Sequence, residues 1–252
     1  MKFRTVILAA GKGTRMGSEK PKVLLPLANK PILQHLIESI TESGVDGVPV
    51  VVVSSDGKGV CETFGETCHY AIQEEPLGTG HAVMCAKDAV GETDAVIVLY
   101  GDHPFVSPDA LRRLTKIHVD SQTVLTMMTT VVPSFDDWYG IFLHWGRVLR
   151  DLHGHIMGIR EYKDAMESEQ QIREVNPALF CFDAKWLWEN ISQLKNLNAK
   201  GEYYLTDLVE LAVTQGHEIA GSEIRPEESI GVNTPEEFKI AEEIYQNVKS
   251  KR

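Results

Sequence analysis

Leu8-Ala9-Ala10-Gly11-Lys12-Gly13-Thr14-Arg15-Met16, with Pro21-Lys22-Val23-Leu24 close behind, is the stretch on which the reading of this chain turns. A β-prone run, Phe3 to Leu8, leads into it, and a helical pattern starts at Pro31. A glycine-rich turn leaving the end of a strand can aim several backbone N–H groups at one anion. Lys12, Arg15 and Lys22 add cations that a plain turn does not need, and together they suit a triphosphate. Two commoner glycine motifs are excluded. The dinucleotide fingerprint G-x-G-x-x-G requires glycine where Met16 stands, and the Walker A pattern requires Gly-Lys where Met16-Gly17 stands.

Working outward, the first half alternates strands and helices. Ile32, Leu33, Leu36, Ile37 and Ile40 share one face of a helix from Pro31 to Ile40, with Pro31 in its first turn. Val50 to Val53 reads as a parallel strand covered on both faces. A short strand at Tyr70 to Gln73 precedes Leu77-Gly78-Thr79-Gly80-His81 and an apolar helix, Ala82 to Ala89. Ala95 to Tyr100 is a buried strand ending at Gly101-Asp102. Ser107-Pro108 caps a helix with Leu111, Leu114 and Ile117 on one face, and Val124 to Val132 is a further strand. Repeated β-α-β units predict an α/β, Rossmann-like, doubly wound and mostly parallel sheet.

From residue 133 the character changes to short strands and tight turns, a small β-rich elaboration built onto the sheet. Asn176 to Asp183 reads as a strand, with helices over Ala184 to Leu194 and Thr206 to Thr214. Thr234, Pro235 and Glu237 make a capping box for a last helix whose stripe is Phe238, Ala241, Ile244, Tyr245 and Val248. The expected organisation is a single domain over 1–252, in two halves, 1–132 and 133–252, the second carrying the closing helices.

Bulk properties narrow the class. The 252 residues are 43% hydrophobic, enough for a sizeable core, and the formal charge of −11 argues against non-specific nucleic-acid binding. Cys61, Cys68, Cys85 and Cys181 have no C-x-x-C spacing and suit free thiols in a reducing compartment. No signal core or membrane-spanning run stands out, so a soluble, cytoplasmic protein is expected.

Three residues outside the turn are candidates for carrying chemistry. Asp102 follows a buried strand, where ligands of open α/β sheets bind, and a carboxylate opposite a phosphate-holding turn suits Mg2+. Asn233, just before the Thr234 cap, offers a second oxygen; an asparagine in a turn is the plainer reading. Gln73 offers a donor and an acceptor to a uracil or thymine edge, and Gly78 lets a base approach the backbone; a surface residue at a strand end is the plainer reading of Gln73.

The signature turn resembles that of the sugar-phosphate nucleotidyltransferases, most closely the uridylyltransferase domain of bacterial N-acetylglucosamine-1-phosphate uridylyltransferases. The likeness continues through Leu77 to Ala82, Leu99 to Asp102, Glu161 to Ala165, Glu174 to Asn176, Gly201 to Asp207 and Gly231 to Asn233. It implies that Arg15 and Lys22 are catalytic and that Mg2+ is held by Asp102 and Asn233. It implies nucleotide contacts at Leu8, Ala10, Gly11, Gly13, Thr14, Gln73, Gly78 and Thr79. Around the sugar phosphate it implies Tyr100, Gly101, Gly140, Glu161, Asn176 and Tyr204. The implied reaction joins UTP and N-acetylglucosamine-1-phosphate into UDP-N-acetylglucosamine and pyrophosphate. The same chemistry with dTTP or another sugar-1-phosphate, such as glucose-1-phosphate, and a non-catalytic sugar-nucleotide-binding subunit are the rival readings. Ile141, where the family usually has Arg, and Pro177-Ala178, where it usually has Thr-Gly, put the departures on the sugar side. No hexapeptide repeat of the family's acetyltransferase β-helix follows, so acetyl transfer is not expected; nor are nucleic-acid or membrane partners, and the assembly expected is a monomer or small homo-oligomer.

Overall fold

The computed structural model describes residues 1–11, 13, 16 and 20–249. The chain opens on β1 (Phe3–Leu8). A short hairpin, β2 (Pro26–Leu27) with β3 (Lys30–Pro31), turns through Ala28 and Asn29 at positive φ and delivers α1 (Ile32–Ser43). Ile32, Leu33, Leu36 and Ile40 of α1 are fully buried, and each such side chain contributes about 1.5–3 kcal/mol. Pro31 stands just before the helix, in an extended conformation, and not in its first turn. Then come β4 (Val50–Ser54), α2 (Lys58–Phe64), β5 (His69–Gln73), α3 (Thr79–Cys85), α4 (Lys87–Val90), β6 (Ala95–Tyr100), α5 (Pro108–Ser121) and β7 (Leu125–Val131). The Ser107 hydroxyl accepts from the Ala110 N–H, which is the expected cap of α5.

The second half supplies β8 (Arg147–Arg150), β9 (Ile156–Arg160), α6 (Glu167–Gln170), β10 (Glu174–Val175), β11 (Phe180–Asp183), α7 (Ala184–Asn190), α8 (Asp207–Thr214), β12 (Ala220–Glu223), α9 (Pro226–Ser229) and α10 (Pro235–Lys249). Strands from both halves join one 10-stranded sheet in the order β5-β4-β1-β6-β11-β7-β10-β8-β9, with β12 also on β7. β5, β4, β1, β6, β7 and β12 point the same way, and β11 runs against both β6 and β7. The fold is therefore mixed α/β with a mostly parallel central sheet, extended by the antiparallel set β10, β8 and β9.

Alternate side chains feed opposite faces of this sheet. Val6, Val52, Val96 and Val98 pack under α3, α4, α7 and α8, whereas Ile7, Val51, Ile97 and Leu99 pack under α1, α2 and α5. A third cluster, built on Leu27, Ile32, Phe142, Val175, Val232 and Ala241, seats the last helix. Among the described residues, no helix is long and apolar enough to cross a membrane.

Three expected elements differ. The helix expected over 82–89 begins earlier, at Thr79, and breaks at Ala86, whose N–H bonds to the Val83 carbonyl in a tight turn. The strand expected over 176–183 starts only at Phe180, because Pro177 has no N–H to give a ladder and Ala178 sits at φ 57. The helix expected over 184–194 ends at Asn190 and tightens into a 3-10 turn over Ile191–Gln193.

Arg147, fully buried, organises the elaboration. Its guanidinium donates to the carbonyls of Trp145 (2.5 Å), Leu143 (2.7 Å) and Gln170 (3.1 Å) and lies 4.6 Å from the Phe135 ring centre. Among the described residues it makes no ion pair. A buried cation held by carbonyls and aromatic faces satisfies its donors and ties the 135–145 segment to 162–170.

Candidate active site

β1, β4, β5 and β6 end on one edge of the sheet. Successive strands turn one way from β1 to β4 and β5, then return to β6 on the other side, so the boundary between β1 and β6 is the topological switch point. Leu8 and Tyr100 face each other there in register. A cavity of about 240 Å3 opens at this edge. Leu8, Ala9, Ala10 and Gly11 form one wall, and Gln73, Pro76, Gly78, Thr79 and Ala82 another; Lys22, Val23, Tyr100, Asp102 and Glu202 complete it. A smaller cavity of about 160 Å3, lined by Ser54, Ser55, Asp56 and Glu74, shares Ala10, Gln73 and Pro76 with the first.

Gln73 ends β5 and is buried at 5% exposure. Its Nε2 donates to the Gly78 carbonyl (3.0 Å) and to Nδ1 of His81 (3.0 Å). Gly78 sits at φ +114, and a Cβ there would lie 2.6 Å from the Tyr203 carbonyl oxygen. Only glycine suits both the backbone shape and the gap. The Tyr203 N–H donates to the Leu77 carbonyl (2.8 Å), the Gly80 N–H to the Tyr203 carbonyl (2.8 Å), and the Leu205 N–H to the Thr79 hydroxyl (3.0 Å). This clasp brings Glu202 to the cavity from far along the chain.

The charged end is built by three segments. Lys22 stands in the 3-10 turn after Pro21, and its ammonium bonds both Asp102 Oδ2 (2.5 Å) and Asn233 Oδ1 (2.7 Å). The Val232 N–H donates to the Asp102 carbonyl (2.9 Å), locking the last two segments together. His103 packs beneath them, its Nε2 3.6 Å from Asp102 Oδ1, and leaves no room for a side chain at Gly231. Burial pushes the Asp102 carboxyl up, but Lys22, followed by His103, pulls it down, and it rests below the ordinary carboxylate value. Burial, partly opposed by Asp102, lowers His103 below the ordinary histidine value. A cation already resting between a carboxylate and a carboxamide oxygen means the two oxygens converge on a point that a metal ion suits. Among the described residues no group of three or more His, Cys, Asp or Glu could hold a metal. Two protein oxygens fit Mg2+, which fills its octahedron with phosphate oxygens and water.

Of the residues expected to surround a sugar phosphate, Tyr100 lines the cavity; Gly101, Gly140, Glu161, Asn176 and Tyr204 do not. Gly101 donates its N–H to the Leu8 carbonyl, holding β1 and β6 together past their ends. Glu161 lies near both Tyr100 and Tyr204, whose hydroxyls are raised by burial and, after it, by nearby carboxylates that include Glu161. The Asn176 N–H donates to the Gly146 carbonyl, a Cβ at Gly146 would come within 3.4 Å of Glu161 Oε1, and that oxygen accepts from the Thr206 hydroxyl (3.1 Å). Burial raises Glu161. Among the described residues the buried Tyr204 hydroxyl makes no hydrogen bond of good geometry, and the Asp164 carboxylate is its polar neighbour. Asn176 Oδ1 is occupied by the Ala178 N–H (2.9 Å). Gly140 lies apart, in the 3-10 turn Asp137–Phe142.

Lys12, Thr14 and Arg15 lie outside the described residues; Gly13, at φ +59, is described, and a Cβ on it would meet Lys22 Cβ at 2.8 Å. Pro76 and Glu202 line the cavity and were missed from the sequence. The match at Gly201 to Asp207 was the available signal for Glu202; nothing local pointed to Pro76.

Residues 5–198 match the family described as the MobA-like NTP transferase domain. Over 243 residues the chain is 39% identical to the bifunctional protein GlmU of Brevibacillus brevis, which covers 96% of this chain and 51% of that protein. Over 249 residues it is 40% identical to GlmU of Clostridioides difficile, covering 98% and 52%. The chain thus spans about half the length of the curated relatives it matches. Among solved structures, that of a UDP-glucose pyrophosphorylase complexed with UDP-glucose superposes over 100% of both chains with a TM-score of 0.76 at 17% identity, a likeness of fold.

Proposed function

The chain belongs to the MobA-like NTP transferase family, and from that premise we propose that it joins UTP to N-acetylglucosamine-1-phosphate, releasing pyrophosphate and forming UDP-N-acetylglucosamine. One observation carries the proposal: Lys22 and Asp102 face the same cavity, at the switch-point edge of the sheet, whose other wall is Gln73 and Gly78. That is a phosphate end and a base end in one cleft. GlmU relatives along nearly the whole chain support the choice of UTP and of this sugar.

The sugar phosphate is the nucleophile. Its second pKa is about 6, so it is mostly dianionic at neutral pH and needs no general base. Its oxygen forms a bond to the α-phosphorus while the bond from that phosphorus to the bridging oxygen breaks, and pyrophosphate leaves with the electron pair. The barrier is the approach of one anion to another, so the site must supply positive charge and alignment. Lys22 and Arg15 neutralise the phosphates, and the turn after β1 offers backbone N–H groups. Asp102 and Asn233 would hold Mg2+, which when bound supplies charge neutralisation on the phosphate oxygens. Gln73 and Gly78 hold the pyrimidine. We assign the activity to the cytoplasm, where the unpaired thiols of Cys61, Cys68, Cys85 and Cys181 are stable.

The sugar side supports a second reading, a different hexose-1-phosphate. Ala178 strains into a left-handed conformation where a glycine would be at ease, and Ile141 is packed against the third apolar cluster. Pyrophosphate release with Mg2+, across UTP, dTTP, CTP, GTP and ATP with several sugar-1-phosphates, tests both. Selective release with UTP and N-acetylglucosamine-1-phosphate is expected, with Lys22→Ala lowering it about a hundredfold at saturating substrates. UTP with another sugar moves the sugar assignment alone. Tight sugar-nucleotide binding with no release from any pair would make the protein a binding subunit.

A further inference from the structure

The carboxamide of Gln73 is more constrained than its residue type suggests. Its amide nitrogen has two hydrogens, and both are engaged inside the protein, one with the Gly78 carbonyl and one with His81 Nδ1, each at 3.0 Å. An amide nitrogen can only donate, so Nδ1 of His81 must be the bare, accepting nitrogen of the ring. The ring proton then sits on Nε2, which points at the Cys85 sulfur 3.9 Å away. Burial raises Cys85 above the ordinary thiol value, which keeps that sulfur a neutral thiol. No hydrogen bond engages Gln73 Oε1 among the described residues. Since Gln73 lines the cavity, its oxygen is what remains for a ligand.

We infer that His81 is a positioning residue for nucleobase selection: by taking one amide hydrogen of Gln73 it fixes the carboxamide so that only the acceptor Oε1 meets the base. This rests on the function proposed above. An acceptor there matches a base with a hydrogen on its ring nitrogen, as in uracil or thymine at N3. It opposes cytosine, whose N3 is itself an acceptor, and two acceptors face to face leave both unpaired. The selectivity is built by Gly78, His81 and Cys85 behind Gln73, not by Gln73 alone. Take away the acceptor at His81 and the Gly78 carbonyl alone holds the amide; the carboxamide then loses one of the two bonds that keep its C=O toward the base, and N–H is offered more often.

The test is kcat/KM for UTP and for CTP with N-acetylglucosamine-1-phosphate and Mg2+, beside equilibrium binding of UTP and CTP, in the intact chain and in substitutions of His81. His81→Leu removes the acceptor, and the preference for UTP is expected to fall about tenfold, through KM and binding, with kcat for UTP held within about twofold. His81→Asn places an oxygen where Nδ1 stood and is expected to restore the preference. His81→Gln carries its oxygen one bond too far and is expected to behave as His81→Leu does; it supplies the answer if the leucine variant does not fold. A wild-type chain selective for UTP whose Leu and Gln variants stay equally selective overturns the role of His81 alone. A wild-type chain without base preference overturns the functional reading and this inference with it.

Discussion

Asp207, the first residue of α8, is a carboxylate that the folded chain would sooner keep protonated. Burial, followed by repulsion from Glu161 and Glu210, pushes it from 3.8 up to about 6, against the opposing pull of Arg160. The folded state therefore holds this proton more tightly than the unfolded chain. Its contribution to stability is fully present below about pH 4 and is lost as the pH rises through about 6, so at neutral pH the ionised group weakens the fold. Asp207→Asn should stabilise the protein by about 1 kcal/mol at pH 7.5, a figure lowered to allow for solvent screening at a partly exposed group, and by nothing at pH 4. Urea unfolding at the two pH values measures this; equal gains at both would show that the substitution acts through packing or capping. The same acidic neighbourhood holds Glu161 and the Tyr204 hydroxyl, so the stability lost here lies beside residues that the family resemblance sets around the sugar phosphate.

At the scale of elements, α10 shows how a helix start can place a functional side chain. The Thr234 hydroxyl accepts from the Glu237 N–H (3.2 Å), and the Glu237 carboxylate accepts from the N–H groups of Thr234 (3.0 Å) and Asn233. The box thus reaches one residue back and fixes the backbone of Asn233. Thr234→Ala should cost about 1 kcal/mol of stability and weaken the apparent affinity for Mg2+ about tenfold, because it frees the backbone that orients Asn233. The Mg2+ dependence of pyrophosphate release, with thermal melting alongside, checks both; a stability loss with unchanged Mg2+ dependence would separate the cap from the site. This box was legible in the sequence, as were β1, β4, β6, α1 and α5, because each is written in local periodicity and capping residues. The break at Ala86 and the late start of β11 were not, since they follow from an i−3 bond and from a left-handed Ala178 that no pattern announces. The cavity residues at the ends of β1, β5 and β6 were legible by position. Pro76 was not, and neither was the direction of the Gln73 amide, which Gly78 and His81 decide after the chain has folded.

On the scale of the whole molecule, the two halves anticipated on either side of residue 133 are interleaved. β11, from the second half, lies between β6 and β7 of the first, pairing Phe180 with Val98 on one side and with Met127 on the other. Tyr203 clasps Leu77 and Gly80, again joining the two halves. A fragment of residues 1–132 should therefore show no cooperative urea transition by circular dichroism, and mixing it with residues 133–252 should restore one; a sharp transition for 1–132 alone would refute this. The placement of β11 also sets a timetable for synthesis on the ribosome. As the chain emerges, β6 and β7 are complete long before the strand that belongs between them exists. The nascent protein must keep that seam open, with its apolar rows exposed to the crowded cell, until residue 183 has cleared the exit tunnel. β11 then closes the seam, and β12 adds to β7 only after it. Pauses between residues 131 and 183 lengthen the exposure most, and there a nascent-chain chaperone has the most to protect.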